Sequence, residues 1–303
     1  MNRWWVYQRE RFPVFKHGLL IAVFSLSAVG YALLLHGGLG DRSIDLLLRP
    51  ALVAFLTLFL FFLQLRIADE FKDFAEDAQY RPYRPVPRGL VTLSELGLLG
   101  LGAAVVQFGL AWAIGLPLVL LLLLVWGYLG LMSKEFFVSH WLKAHPIAYL
   151  LSHAVIMPLM ALYATACEWF VTGDTPATGL IWFLFISWFV SLTIEIGRKI
   201  RAPQDEETGV ETYTVLWGKQ RAVIVWLTVV WLLALCALGA ATQINFVVPT
   251  AFVLLLLLPG SVLVAWRFLA HPVTAWAKWF ETLSGIWTLL VYLSVGIVPL
   301  FLG

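Results

Sequence analysis

Along the chain, apolar residues come in long unbroken runs rather than in an alternating or a one-faced pattern. Nine such runs stand out: Leu19 to Leu35, Ala51 to Ile67, Leu96 to Ile114, Leu116 to Met132, Ile147 to Cys167, Leu180 to Ile196, Val223 to Ala241, Phe246 to Leu269 and Leu283 to Leu302. Each approaches the roughly 20 residues that a helix needs to cross about 30 Å of hydrocarbon. A helix is also the form that satisfies its own backbone there. The third and fourth runs are parted only by Gly115, with Pro117 just beyond, which predicts a tight helical hairpin. Polar positions gather in the connections. The two longest, Arg66 to Leu93 and Gly197 to Ala222, hold nine of the eighteen acidic residues.

Composition agrees with the pattern. The chain has 303 residues, 61% hydrophobic and 13% charged, against about 25% charged in a soluble domain. That excludes a soluble enzyme and a disordered chain. With no linker, low-complexity tract or clear repeat, residues 1–303 read as one domain: an all-α membrane protein, a nine-transmembrane-helix bundle with a polar cap. Net charge is only +2, so overall electrostatics give no support to a nucleic-acid partner; the lipid bilayer is the expected one. Cys167 and Cys236 lie in apolar runs and make no disulfide framework. The first run lacks a cleavage site and a soluble body after it, so a retained span is expected rather than a signal peptide.

Orientation follows from the basic residues. With the N-terminus inside and nine spans, eighteen of twenty Lys and Arg fall on the cytoplasmic side, and only Arg42 and Arg49 fall outside. The expectation is a multi-pass protein with its N-terminus and both long polar loops cytoplasmic. Trp4, Trp5, Trp141, Trp169, Trp217 and Trp279 near run ends are expected as interfacial anchors.

The first polar loop begins Asp69-Glu70-Phe-Lys72-Asp73-Phe-Ala-Glu76-Asp77. Residues four apart on a helix are offset by about 40°, so Asp69, Asp73 and Asp77 predict one carboxylate stripe, with Glu70 beside it. Like charges at that spacing weaken a helix unless a counter-charge sits among them. Magnesium bridging to a phosphorylated ligand would supply it; the plainer alternative is a solvated helix end paired locally with Arg66 and Lys72. Glu76, off the stripe, is expected in solvent. Tyr80-Arg-Pro-Tyr-Arg84-Pro-Val-Pro-Arg-Gly89 follows, in which prolines stop the helix and arginines offer anion-binding groups. Thr92-Leu-Ser-Glu95 reads as a capping box opening the third span.

These residues carry a resemblance. Asp69-Glu70-x-x-Asp73-x-x-x-Asp77 followed by Arg84-Pro-Val-Pro-x-Gly89 resembles the first signature of the UbiA superfamily of intramembrane prenyltransferases, Asn-Asp-x-x-Asp-x-x-x-Asp with a trailing Arg-Pro-Leu-Pro-like segment. Asp69 stands where Asn is usual and Glu70 where Asp is usual. The resemblance implies a nine-helix bundle and magnesium-dependent ionisation of an isoprenyl diphosphate. The second signature, Asp-x-x-x-Asp, is divergent here. Aligning the trailing Gly209-Val-x-Thr and Leu-Trp-Gly218 puts Asp205 on its second aspartate and Arg201 on its first, a reversed charge. Glu195 upstream is either a substitute carboxylate or a helix-end partner of Arg198 and Lys199. Glu206 and Glu207 are expected as loop charges, with Glu206 the better placed of the two as a metal neighbour.

The resemblance thus implies Asp69, Glu70, Asp73, Asp77 and Asp205 as magnesium ligands, with Glu195 as a further acidic group in the catalytic set. It implies Arg84, Lys134, Lys199 and Arg201 as diphosphate contacts, with surface snorkelling the alternative for Lys134. The leading expectation is transfer of a prenyl group from an isoprenyl diphosphate to an aromatic or lipid acceptor that the sequence does not name. A terpene cyclase on the same fold is the runner-up. A transporter fits less well, because the charges gather at one face while the middle of most spans is apolar. His153, inside a span, is expected to be hydrogen-bonded or cavity-lining, and Gly97, Gly100 and Gly102 to mark a close-packing helix face.

Overall fold

The computed structural model describes residues 2–38 and 44–302; Arg42, one of the two basic residues expected outside, lies beyond them. Nine helices long and apolar enough to cross a membrane occur among the described residues. They are Val14–Leu35, Asp45–Lys72, Leu93–Ile114, Leu116–Ser133, Pro146–Thr172, Leu180–Arg198, Lys219–Gln243, Val247–Ala270 and Thr274–Leu302, taken here as the first to ninth spans. Each expected run is present. Most extend past the apolar stretch that announced them, because the polar residues at the ends continue the helical hydrogen bonding.

The first span is the hub, packing on the second, fifth, sixth and ninth. Its contact with the ninth is close: Gly30 and Gly296 sit back to back across the interface, and a Cβ on either would overlap the other helix's backbone. The ninth span opens into a wider, π-type turn over Leu293–Ile297 at this contact. The third and fourth spans form the expected hairpin, with Gly115 at φ 152° between them. They sit at the edge and turn Leu98, Leu101, Val105, Leu120 and Leu124 outward, a surface suited to lipid. Gly97 and Gly100 of the third span meet Phe71 and Ile67 of the second as expected of a packing face, whereas Gly102 has no neighbour within 4 Å.

The fifth span is broken at Val155, between helices Pro146–Ala154 and Ile156–Thr172. Pro158 explains the break: it has no N–H to offer Ala154, and its ring crowds that carbonyl. A short helix, Arg3–Arg11, precedes the first span; its N-cap is the Asn2 side chain, which accepts from the Trp4 amide at 3.0 Å. Of the tryptophans expected at the interface, Trp5, Trp141 and Trp279 are exposed, while Trp169 is buried in the core. A position near a run end does not reveal which face the ring takes.

Candidate active site

The second span ends at Lys72, Asp73 caps it, and a further turn of helix runs Phe74–Tyr80. The Asp73 amide donates to the Asp69 carbonyl at 2.9 Å and the Asp77 amide to the Asp73 carbonyl at 2.8 Å. Helical bonding therefore continues across the cap, yet the carboxylates meet different fates. Glu70 is buried and accepts from Nε of Arg11 at 2.5 Å. Asp77 is equally buried and held by Arg84 at 2.5 Å and Arg81 at 3.1 Å. Half of the Asp69 side chain is accessible, with Arg66 at 3.4 Å. Asp73 is half-buried and makes no side-chain hydrogen bond or ion pair among the described residues. Glu76 is exposed, as expected. Tyr7, beside Glu70, has its phenol pushed far up by burial and then by that carboxylate.

Beyond the turn, the Thr92 hydroxyl accepts from the Glu95 amide at 3.2 Å while the Glu95 carboxylate accepts from the Thr92 amide at 2.9 Å, the capping box read from the sequence. Arg3 adds an ion pair to Glu95 at 2.5 Å, tying the N-terminal helix to the start of the third span.

The second loop is knitted to itself. Glu195 accepts from Arg198 Nε at 2.7 Å and pairs with Lys199 at 3.0 Å, the helix-end alternative. Arg201 donates to Glu207 at 3.1 Å and to the Asp205 carbonyl at 3.3 Å. The Asp205 carboxylate accepts from the Thr274 hydroxyl at the start of the ninth span, 3.0 Å away. Glu206 accepts from the hydroxyls of Thr212 and Thr214 at 2.7 and 2.6 Å. It is a staple of the loop fold rather than a free metal neighbour.

A third group was not foreseen. Lys72 donates to the Tyr149 hydroxyl at 2.5 Å and pairs with buried Glu135. His153 lies 3.4 Å from the same carboxylate and stacks on Tyr149; its Nδ1 also lies 2.9 Å from the Tyr149 carbonyl, the hydrogen-bonded role expected of it. Glu135 sits on a turn in which Glu135, Phe136 and Phe137 take φ of 49°, 52° and 60°. Left-handed backbone costs a non-glycine residue about 1–2 kcal/mol; the turn sets Glu135 against Lys72. The partners lie 77 residues or more apart or on a strained turn, and only the lysine in a run of acids hinted at them.

These groups share one end of the bundle. Asp69 is within electrostatic reach of Arg198, Asp73 of Tyr149, and Glu195 of both His153 and Tyr213. The ends of the second, fifth and sixth spans thus surround a polar site in which two carboxylates face guanidinium, ammonium and phenol. Tyr213, under Lys199 at 5.5 Å, has its phenol pushed far up by burial and then by Glu195, so it stays a neutral hydrogen-bond donor.

A model of the UbiA prenyltransferase family matches residues 23–289. The chain belongs to the UbiA prenyltransferase family. It is an integral, multi-pass membrane protein of that family's fold. Its structure is similar to an apo UbiA homolog from Aeropyrum pernix K1, at TM-score 0.68 and 13% identity, covering 90% of this chain and 96% of that one. A digeranylgeranylglyceryl phosphate synthase structure gives TM-score 0.65 and 14% identity over all of both chains. A UbiA homolog from Archaeoglobus fulgidus bound to DMAPP and Mg2+ gives 0.53 and 13%, covering 96% and 99%. No curated protein matches the chain significantly by sequence.

Within the UbiA frame, Asp73 stands out as the carboxylate of the first signature without a side-chain partner among the described residues, and Asp69 as the one held only loosely, by Arg66 at 3.4 Å. Glu70, Asp77 and Asp205 are engaged by Arg11, by Arg81 and Arg84, and by Thr274. Lys134 is exposed on the turn ending the fourth span, with no side-chain partner among the described residues, the snorkelling alternative. Arg198, named from the sequence only as a partner for Glu195, is a second cation near Asp69 beside Arg66, and half of its side chain is accessible.

Proposed function

We propose that the protein is a magnesium-dependent intramembrane prenyltransferase that ionises an isoprenyl diphosphate and passes the prenyl group to an aromatic or lipid acceptor. The observation carrying this reading is Asp73: a half-buried carboxylate with no hydrogen-bond or ion-pair partner among the described residues, facing Tyr149 and next to accessible Asp69, which faces Arg198. Two such carboxylates repel, and their oxygens are the donor set that magnesium takes. The residues fit the ion: Asp69 and Asp73 would hold it, and Asp77 and Glu70 would join only if their arginines let go. When bound, magnesium supplies positive charge against the diphosphate oxygens.

The chain's own residues do the rest. Arg198, Lys199 and the Arg84 side hold diphosphate oxygens and offset the charge that grows on them as the allylic C–O bond breaks and its electron pair leaves with the diphosphate. Tyr213 donates a hydrogen bond without ionising. Lys72, held by Glu135 and Tyr149, keeps the second span's end in place. The apolar spans take the isoprenoid tail and keep water from the carbocation, until the acceptor bonds to carbon and gives up a proton. The one-sided distribution of Lys and Arg supports a cytoplasmic placement of this end.

The test is diphosphate release by the full chain in lipid nanodiscs supplied with geranylgeranyl diphosphate. Release that needs both magnesium and an added aromatic or lipid acceptor supports transfer. Hydrocarbon or terpene alcohol formed without an acceptor would make the protein a cyclase. No release under any of these conditions overturns the reading.

A further inference from the structure

The end of the bundle opposite the carboxylate loops holds a cluster that the proposed chemistry leaves unused. His36 caps the first span. The fifth span ends at Thr172, and Gly173, at φ 78°, turns the chain so that the Asp174 amide donates back to the Trp169 carbonyl at 2.9 Å. These two helix ends bring His36, Glu168 and Asp174 together. His36 Nδ1 lies 3.0 Å from Glu168 Oε2 and 4.0 Å from Asp174 Oδ2. One ligand atom from each of the three lies within 4.8 Å of the other two. Glu168 is fully buried, and among the described residues no lysine or arginine pairs with it. The Thr172 hydroxyl reaches its other oxygen only at 3.5 Å. Asp174 is 40% exposed, which opens the cluster to water.

The second nitrogen of His36 decides what this cluster needs. Nε2 lies 3.0 Å from the Thr175 carbonyl oxygen, which only accepts, so Nε2 carries the proton. In the neutral ring Nδ1 is then a bare lone pair aimed at an oxygen of a buried carboxyl, which when ionised also only accepts. Two acceptors at 3.0 Å repel unless a positive centre lies between them. A proton on the ring or on the Glu168 carboxyl would serve the His36–Glu168 contact but not Asp174, whose oxygen at 4.0 Å is beyond hydrogen-bond range. A metal ion serves all three. The separations of 3.0 and 4.0 Å bracket the edge of about 3.4 Å of a tetrahedron with bonds of about 2.1 Å. A ligating histidine also ordinarily donates its remote N–H to a carbonyl or carboxylate, as His36 does to Thr175.

We propose that His36, Glu168 and Asp174 form a site for a divalent transition metal of the zinc class, joining the ends of the first and fifth spans on the face away from the diphosphate. A nitrogen with two carboxylates suits zinc better than magnesium, which prefers six oxygens. The exposed side of Asp174 is the route of entry and leaves a coordination position for water. This inference does not depend on the prenyl-transfer reading.

Chelator-treated full-length protein in detergent, titrated with Co2+ in excess magnesium, tests it. The expected result is one Co2+ per chain with the strong visible bands of a low-coordinate site, displaced by Zn2+. His36→Ala and Asp174→Asn should each weaken binding tenfold or more, while Asp73→Asn leaves it unchanged. Asp174 is half in water, so its variant keeps the test open if the histidine variant fails to fold. Absence of stoichiometric binding to the wild-type chain overturns the proposal. So does binding that survives in Asp174→Asn, or binding abolished by Asp73→Asn, which would put the cobalt in the acidic loop.

Discussion

The two polar loops at the active end look alike in composition and differ in what they leave free. In the first, Glu70 and Asp77 are buried against arginines, which leaves Asp73 uncommitted among the described residues and Asp69 half-accessible with only a loose ion pair to Arg66 at 3.4 Å. In the second, Glu195, Asp205, Glu206 and Glu207 are all engaged, by Arg198 and Lys199, by Thr274, by two threonines and by Arg201. An acidic residue whose oxygens are already filled by the protein is a poor metal ligand, because coordination must first undo those bonds. Under the proposed function, the difference would give the loops separate work: the first would hold the cation, and the second, with Arg198 and Lys199 at its root, would bring positive charge to the leaving group. The reversed charge at Arg201 belongs to the same division, since a second metal would meet a guanidinium where a carboxylate is usual.

The sharpest way to break this division is to compare Asp73→Asn with Asp205→Asn. The first should lower magnesium-dependent diphosphate release by about 100- to 1,000-fold, the range for losing a group that stabilises charge in the transition state. The second loses only an acceptor for the Thr274 hydroxyl and should cost less than about tenfold. Equal losses in steady-state assays would mean that the second loop binds metal after all.

A step down in size, Arg198→Ala should lower kcat/KM by about 10- to 100-fold, as expected for losing a charge-assisted contact worth about 1.5–3 kcal/mol. Lys134→Ala should stay within about twofold, because its side chain projects from an exposed turn. The reverse order of effects would restore Lys134 to the diphosphate and remove Arg198 from it.

On stability, Arg11→Ala leaves Glu70 buried without a partner, at a cost of about 3–5 kcal/mol. The Tm in detergent should fall sharply, and Arg11→Ala combined with Glu70→Gln should recover much of it. Arg81→Ala should cost less, because Asp77 keeps Arg84. If Arg11→Ala is thermally silent, the first loop is not sorted by its arginines, and the contrast with the second loses its cause.

What the sequence showed and hid divides along the same lines. Spans were legible because length and hydropathy are local, and the Thr92–Glu95 box because a cap closes over three residues. The acidic spacing was legible for the same reason, and backbone bonds carry it through the cap at Asp73. What each acid does was not, since Arg11 reaches Glu70 across 59 residues and Lys72 reaches Tyr149 across 77. The helix Arg3–Arg11 escaped notice because it is short, polar and anchored through those distant pairs to Glu70 and Glu95. The partners of Glu206 stayed hidden although they are near in sequence. Within a loop that has no helical or strand period, nothing in the order of residues says that two threonine hydroxyls will fold back onto one carboxylate.

That staple gives the smallest and most discriminating effect. Glu206→Gln keeps the size and one acceptor oxygen but loses the charge that strengthens the bonds from Thr212 and Thr214. Thr212 also caps the short helix Tyr213–Trp217, its hydroxyl accepting from the Val215 amide at 3.2 Å. Loosening the staple should therefore loosen the platform that carries Tyr213 under Lys199. The expected result is faster hydrogen exchange over residues 206–217, equivalent to about 1 kcal/mol of lost local stability. KM for the diphosphate should rise a few-fold while magnesium affinity stays unchanged. A Glu206 that ligated metal would show the opposite pattern, with weaker magnesium dependence and unaltered exchange, because the defect would then lie in charge at the site rather than in the fold of the loop.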